Sequence, residues 1–446
     1  MIVKGDKKII RGWVAYDWAN SVYSLVVSSA IFPIFYEAST RAVYAKSIGL
    51  SPDAVDPGKV TVDFFGYQVS PSVIYSLVLS FGFLCVSFLS PLLSGIADYT
   101  GSKKKFMKFF CYLGSLSCAS LYFFDPNQIE LGMLSIFFGT IGFWNSLVFY
   151  NAFLPEIAEP KDHDRVSANG FIAGYIGATL LLVICLALIM GIDSSYTKVS
   201  FLLVAVWWIG FAQLTYRVLP NNVYDKNPKK DYIWKGFGEL KKVFLEFRQT
   251  VRLKRFLVSF FFFNTGVQTV MLMATVFASK EIEWPENSNK SGLIIAILLI
   301  QLVGALGAKI TSIIARKTGN INSLIGSVSI WIIICVFAFF IRTPNEFYTL
   351  AAFVGLVMGG VQAIARSTYS KYLPETTDHA SYFSFYDVAE KIGMVIGTAF
   401  FALMEFLFDD IRFSIISVAM FFVFGLIFLF FIPKEERIID LNQKKS

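Results

Sequence analysis

Ser94-Gly-Ile-Ala-Asp-Tyr-Thr-Gly-Ser102 returns in altered form, 218 residues later, as Ser312-Ile-Ile-Ala-Arg-Lys-Thr-Gly-Asn320. Tyr150-Asn-Ala-Phe-Leu-Pro-Glu156 is echoed by Tyr369-Ser-Lys-Tyr-Leu-Pro-Glu375 at an offset of 219, and Asp162-His163 by Asp378-His379 at 216. Three echoes near one spacing indicate a duplicated unit of roughly 220 residues. Each unit carries six long apolar stretches. The chain therefore reads as two parallel six-helix halves, a plan known among membrane proteins built from internal repeats.

Composition agrees with that reading. The 446 residues are 55% hydrophobic and 16% charged, with 47 Phe, and the mean hydropathy is +0.60. A water-facing globular domain carries about 25% charged residues. Apolar runs long enough to cross ~30 Å of hydrocarbon are expected at about 12–37, 71–97, 106–124, 130–154, 166–190, 199–218, 255–279, 291–315, 322–341, 347–372, 382–407 and 411–432. The expected fold class is an all-α membrane protein of twelve transmembrane helices in two pseudo-symmetric six-helix halves. Residues 1–218 form the first half, 219–254 a cytoplasmic linker with an amphipathic helix, and 255–446 the second half. Within the linker, Trp234, Phe237, Leu240, Phe244, Phe247 and Val251 share one helical face. Lysines and arginines fill much of the rest, which suits a helix lying on the inner leaflet.

Basic residues orient the chain. Of 39 Lys and Arg, 28 fall in segments that are cytoplasmic when both termini are inside, and 8 fall outside. That is the positive-inside bias, and it explains the net charge of +7 without a nucleic-acid surface. The first apolar run is too long for a cleavable signal and carries Asp17. The longest outside loop is expected at about 38–70. All five cysteines lie in apolar helices, and no Cys, His or carboxylate cluster has metal-ligand spacing. No metal and no cofactor are expected, and no Gly-rich phosphate loop with Lys suggests ATP drive.

An ionisable group in hydrocarbon costs ~2.5–3.5 kcal/mol or more at mid-helix, so each demands a reason. Asp17 stands in Tyr16-Asp-Trp-Ala-Asn-Ser21 with Asn20 on the same side. It either contacts a solute ammonium, carries a coupling proton, or caps and pairs near the helix end. Arg366 follows Gln362 by one turn. Its guanidinium fork suits a carboxylate, either of a solute or of Asp387 or Glu390. Lys391 follows Asp387 by four residues and either pairs with it or faces the cavity. Asn145, Asn264 and Gln268 are neutral candidates for cavity hydrogen bonds or for helix–helix bonds. The candidate substrate site is thus Asp17, Asn20, Asn145, Asn264, Gln268, Gln362, Arg366 and Lys391. Gly170, Gly174 and Gly177 form a small-residue packing face.

Ser94-Gly-Ile-Ala-Asp98-Tyr-Thr-Gly101-Ser-Lys103-Lys104 resembles the loop 2–3 signature of the major facilitator superfamily. That likeness implies a cytoplasmic latch formed by Gly95, Asp98, Gly101, Lys103 and Lys104. Ser94 stands where a Gly is usual. In the second copy Arg316 replaces the Asp, so only the first latch is expected to be complete. Tyr16-Asp-Trp-Ala-Asn-Ser21, Gly359-Gly-Val-Gln-Ala363 with Arg366-Ser367, and Phe385-Tyr386 with Lys391 narrow the match. They resemble the vacuolar amino-acid effluxer (autophagy-related) branch and its bacterial relatives, although Thr265 sits where many members carry an Asp.

The resemblance implies a secondary transporter, not an enzyme, moving a small polar solute such as an amino acid or other carboxylate by alternating access. The expected setting is a bacterial inner (cytoplasmic) membrane. The expected partners are a small-molecule substrate, a coupling proton and the lipid bilayer, with no nucleic acid, in a monomer. A membrane sensor or an integral membrane enzyme are the alternatives.

The basic asymmetry predicts that reporter fusions after residues 60, 230 and 446 read outside, inside and inside. An outside signal at 230 would be incompatible with two six-helix halves.

Overall fold

The computed structural model describes residues 3–221, 224, 232–285 and 289–434. Among them twelve helices are long and apolar enough to cross a bilayer. They are helix 1 (Lys7–Ser47), helix 2 (Pro71–Thr100), helix 3 (Lys103–Phe123), helix 4 (Glu130–Ile157), helix 5 (Pro160–Gly191) and helix 6 (Tyr196–Val218) in the first half. The second half holds helix 7 (Val251–Glu281), helix 8 (Ser291–Thr318), helix 9 (Asn320–Ala338), helix 10 (Pro344–Tyr372), helix 11 (His379–Phe408) and helix 12 (Ile411–Phe430).

The repeated Thr-Gly of the opening motif explains two helix ends. Gly101 (φ +68°) and Gly319 (φ +88°) both take positive φ just past helices 2 and 8, Gly101 in the left-handed helical region and Gly319 with extended ψ. At Gly101 the stop is closed by Ser102 N–H on Ala97 O. Only Gly takes this conformation without a Cβ penalty. The duplicated glycines therefore stop helices at matching points of the two halves.

Helix 1 starts at Lys7 because the Asp6 carboxylate accepts the Lys8 N–H at 2.7 Å. It is not uniform. Tyr23–Ile31 is wound as a π-helix, just before Pro33, which has no N–H to give to Ser29 O. Two carbonyls of this stretch accept side-chain donors: Tyr75 O–H on Ser28 O at 2.9 Å and Ser29 O–H on Ser24 O at 2.8 Å. The helix then continues to Ser47, so the stretch 38–47, expected as loop, is helical. The loop that follows contains a short hairpin, Val62–Phe64 against Tyr67–Val69. Phe65 and Gly66 turn it with positive φ at both positions.

The halves meet along helix 2 against helix 11, helix 5 against helices 8 and 10, and helix 4 against helix 11. Glycines set the closest approaches. Gly355 of helix 10 packs on the Ile300 backbone of helix 8, and Gly359 on that of Gly304. The expected packing face of helix 5 lies on helix 1: Gly170 beside Asp17, Gly174 beside Ser21, and Gly177 beside Trp18. Without a hydrophobic drive between helices in lipid, such close contact supplies much of the attraction.

The linker carries a helix, Tyr232–Gln249; residues 222–223 and 225–231 of the expected linker lie outside the described residues. The apolar stripe read from the sequence is split. Gly236 and Val243 are buried, whereas Trp234, Phe237 and Phe244 are exposed. Gly236 is the cause. It lies against Gly95 of helix 2, where a Cβ on Gly95 would come within 3.1 Å of the Gly236 carbonyl carbon. That backbone contact turns the helix so that the Gly236–Val243 line, not the Trp234–Phe244 line, faces the protein. Phe244 and Phe247 reach Phe385 of helix 11, so the linker helix touches both halves.

Gly359→Ala should force helices 8 and 10 apart, at a typical overpacking cost of about 1–3 kcal/mol, lowering the melting temperature in detergent. Gly326→Ala, with open space around the added methyl, should leave it unchanged or raise it. Equal melting temperatures for the two variants would contradict the close-contact assignment.

Candidate functional site

A cavity of about 260 Å³ lies between the halves. Its floor is a cross-half ion pair: Arg366 Nη2 of helix 10 sits 3.1 Å from Asp17 Oδ2 of helix 1. Both residues are buried, and every bond they make has a local cause. Tyr150 O–H donates to Asp17 Oδ2 at 2.8 Å. Arg366 Nε donates to Ser167 Oγ at 2.9 Å, Nη2 to Ser167 O at 2.8 Å, and Nη1 to Asn151 Oδ1 at 3.3 Å. The guanidinium carbon lies 4.2 Å from the Phe171 ring and 4.9 Å from the Trp13 ring. Gly170 leaves room for the pair, since a Cβ there would overlap Asp17 Oδ2. Removing one partner of such a pair costs about 3–5 kcal/mol, because the other charge stays buried.

This arrangement corrects two expectations. The partner of Arg366 is Asp17, 349 positions away, and not Asp387 or Glu390. The guanidinium is also occupied by protein acceptors, so in this conformation it is not an open fork for a carboxylate. Gln362 is likewise engaged across the halves, accepting from Tyr175 O–H at 2.6 Å.

Of the other expected residues, Asn20, Asn264, Gln268 and Gln362 line the cavity with Asp17 and Arg366. Asn20 Nδ2 and Asn264 Nδ2 are buried and have no protein acceptor. Asn145 does not line the cavity. It is fully buried, and its amide bonds back to Ile141 O one turn earlier at 3.1 Å. Nor does Lys391. Its ammonium is buried between Asp387 Oδ1 and Glu390 Oε2, at 2.9 Å from each, and 3.5 Å from the centre of the Trp144 ring of helix 4. The expected Asp387–Lys391 pair is thus a triad. Its third member, Glu390, lines the cavity and accepts from Gln268 Nε2 at 2.9 Å. Lys309 is exposed.

Below the floor, at the end that carries loop 2–3, two clasps tie the halves. In the first, Asp98 accepts the backbone N–H groups of Ala380 (3.2 Å) and Ser381 (2.7 Å) and the Ser381 hydroxyl (2.8 Å) at the start of helix 11. The partial positive end of that helix favours a carboxylate there. Lys103 lies 4.0 Å from Asp98 and pairs with Glu156, whose Oε1 also meets His379 Nδ1 at 3.0 Å. Tyr224 O–H reaches the same His379 nitrogen, at 3.3 Å. Burial, together with Glu156, pushes the Tyr224 hydroxyl above its ordinary value. Lys104 Nζ donates to Leu219 O at 2.6 Å. Gly95 and Gly101 do not bond across: they serve the linker contact and the helix stop.

The second clasp has inverted charge. Arg316 occupies the Asp98 position of the second copy, but the carboxylate stands on the opposite side, as Asp164 at the start of helix 5. It accepts from Asn320 Nδ2 (2.7 Å), Ser367 Oγ (2.7 Å) and Lys371 Nζ (2.6 Å). The second clasp is therefore built away from the Asp position of the second motif. Glu156, His379 and Asp164 are absent from the site inferred from the sequence, yet they fall inside or beside its repeated motifs, Leu-Pro-Glu and Asp-His. The repeat was a signal for them. Asn320 and Lys371 also lie inside the quoted repeats, but their pairing with Asp164 joins residues 156 and 207 positions apart and has no local signal.

The family model described as "Vacuole effluxer Atg22 like" matches residues 5–441. The MFS-type transporter YxiO of Bacillus subtilis (strain 168) is 31% identical over 454 residues, covering 100% of this chain and 99% of that protein. Autophagy-related protein 22 of Coccidioides immitis (strain RS) is 23% identical over 507 residues, covering 91% and 83%. Among solved structures, the proton:xylose symporter XylE superposes with a TM-score of 0.69 at 12% identity over 96% of this chain and 95% of that one, a likeness of fold alone. With a matching family model over nearly its whole length and twelve helices in the major facilitator arrangement, the chain belongs to the Atg22-like vacuole effluxer family of the major facilitator transporters.

Proposed function

We propose that this protein is a secondary active transporter that moves a small solute bearing both an amino and a carboxyl group across the cytoplasmic membrane by alternating access. The observation that carries this reading is the polar complement of the cavity: two amide donors without protein acceptors, Asn20 Nδ2 and Asn264 Nδ2, share it with the carboxylate of Glu390. Buried donors left unpaired cost about 1–3 kcal/mol each, so a solute carboxylate that accepts from them recovers that cost. An ammonium group has Glu390 to meet. Phe83, Trp144, Tyr175 and Met394 in the lining suit an apolar side chain. The volume, at the small end for ligand sites, fits a single solute of amino-acid size.

On this reading the end that carries loop 2–3 is cytoplasmic, and the halves are closed there. Asp17–Arg366 and the two clasps act as the inner gate, and a working cycle must break all three together. The conformational latch assigned to Asp98, Lys103 and Lys104 belongs to this gate, with Gly95 and Gly101 setting its frame. The transporter acts as a monomer and catalyses no chemical conversion of its solute.

Uptake of radiolabelled leucine into proteoliposomes, competed by isopentylamine (no carboxylate) and 4-methylpentanoate (no amine), tests the reading. Leucine should be transported and each analogue should compete at least tenfold less well, since each loses one charge-assisted contact worth about 1.5–3 kcal/mol. Competition by sugars but by no amino acid would overturn it. Asn264→Ala should raise the half-saturation for leucine roughly tenfold on the same grounds.

Asp98→Asn weakens the first clasp without touching the cavity. Cysteines placed at the cytoplasmic gate should label faster in this variant, and the transport rate should fall while leucine affinity changes little. Loss of binding with an unchanged transport rate would refute the gate role.

A further inference from the structure

Helices 2 and 11 pack side by side where the halves meet, and each turns an apolar line away from the protein. On helix 2 the line runs through Leu77, Phe81, Leu84 and Phe88, all exposed. Two turns further towards loop 2–3 the same line reaches Gly95, and one more turn brings it to Tyr99. On helix 11 Leu403, Ile396 and Ile392 are exposed, and two turns before Ile392 their line reaches Phe385. Such outward lines on membrane-spanning helices face hydrocarbon. The linker helix, Tyr232–Gln249, takes over where they end. Gly236 lies on Gly95, Lys235 Nζ stands 5.8 Å from the centre of the Tyr99 ring, and Phe244 and Phe247 meet Phe385. Lys242 also pairs with Asp378 at 3.6 Å, and Glu246 accepts from Tyr382 O–H at 3.2 Å. The linker helix thus straddles the seam between the halves from its lipid side. Gly95 stands about 8 Å from the end of helix 2 at Thr100, which is headgroup depth.

The opposite side of the linker helix is unoccupied by protein. Trp234, Phe237, Lys241, Phe244, Leu245 and Arg248 fall within an arc of about 100°, and all six are exposed, Trp234 by 79%. The two acids of the helix, Glu239 and Glu246, lie outside that arc. Lys241 and Arg248 have no acceptor for their charged groups among the described residues. Aromatic rings interleaved with bare cations, without an acid, suit acyl chains and anionic headgroups together. We propose that this face binds anionic phospholipid of the adjoining leaflet, and that the bound lipid holds helices 2 and 11 together at the closed end. Lys241 and Arg248 meet the headgroup phosphates, while Trp234, Phe237, Phe244 and Leu245 enter between the acyl chains. In the closed form both halves hold the helix at headgroup depth. A parted seam takes one footing away and with it the register of this face with the headgroups, so anionic lipid favours the closed form. The lipid site lies outside the solute cavity, and only its assignment to the inner leaflet rests on the orientation proposed above.

Two measurements test this, both without solute. For binding, the protein is placed in nanodiscs of equal parts phosphatidylglycerol and phosphatidylcholine, with one or the other brominated near the headgroup end of its acyl chains. Trp234 emission, taken as the difference from Trp234→Phe, should be quenched about twofold or more strongly by the brominated phosphatidylglycerol. Lys241→Gln with Arg248→Gln should remove most of that preference, and Lys241→Arg with Arg248→Lys should keep it. Equal quenching by the two lipids overturns the proposal. So does quenching by neither, the result for a face covered by a second copy or another protein.

For the seam, a cysteine is placed at Ser94, which is fully buried and one turn before Asp98, the residue that meets the start of helix 11. Labelling of Ser94→Cys by a water-soluble maleimide, above the level of the parent protein, requires the seam to open. It should be about tenfold slower in nanodiscs containing phosphatidylglycerol than in phosphatidylcholine alone, the two unpaired cations supplying the difference. Lys241→Gln with Arg248→Gln should abolish that difference. Equal labelling rates in the two lipids would overturn the lipid strap and leave the transport reading standing. Failure of leucine uptake would defeat the amino-acid reading and leave both lipid measurements untouched.

Discussion

Charge that has been carried into hydrocarbon must be answered there, and in this protein the answers mostly come from the other half of the molecule. Arg366 is held by Asp17, Asp98 by the start of helix 11, and Asp164 by Asn320, Ser367 and Lys371. In water each of these contacts would be of little worth, because solvent and salt replace them. Between packed helices there is no such replacement, and separation of the halves exposes every group at once. The same constraint that makes these residues expensive makes their pairing cooperative. Discrete polar contacts are thus laid over an apolar seam that includes Ala168 of helix 5 against Ala308 and Ala363 of the second half.

The duplicated sequence was not kept symmetric where it meets itself. Gly101 and Gly319 still stop equivalent helices, yet the acid of the first clasp has become Arg316 in the second copy, and the second clasp draws its carboxylate from Asp164 instead. Helix 5 supplies acid where helix 11 supplies backbone N–H groups. The two clasps therefore differ in chemistry: one relies on peptide donors at a helix end, the other on an amide, a hydroxyl and an ammonium. They need not respond alike to salt, pH or lipid charge.

Much of the architecture was legible in the sequence because its signals are local. A run of apolar residues announces a span wherever it stands, and the spacing of Ser94–Ser102 and Ser312–Asn320 announces the duplication. Pairing is different. Asp17 and Arg366 are 349 positions apart, and nothing in either neighbourhood names the other, so Arg366 was left between a solute carboxylate and the nearby acids of helix 11. Asn145 looks like a cavity residue in an apolar helix, but a short amide can always satisfy itself on the carbonyl one turn back, and it does. In the linker, periodicity marks the large apolar side chains, while the contact that orients the helix against the protein is made by Gly236, which has none. Glu390 was read only as a possible partner of Arg366, because the i, i+4 spacing gave Lys391 to Asp387. Only the count of two carboxylates to one ammonium, made in space, reveals what is left over.

Half of the first clasp is peptide backbone. The N–H groups of Ala380 and Ser381 are present whatever side chains occupy those positions, and only proline removes such a donor. Apart from the Ser381 hydroxyl, genetic drift can therefore erode this contact only from the Asp98 side. Compensating changes have to arise at distant positions that rebalance the two conformations, because no replacement side chain at 380 can restore or strengthen the lost bond. The fixed half makes the gate robust to random mutation and, for the same reason, difficult to retune one residue at a time.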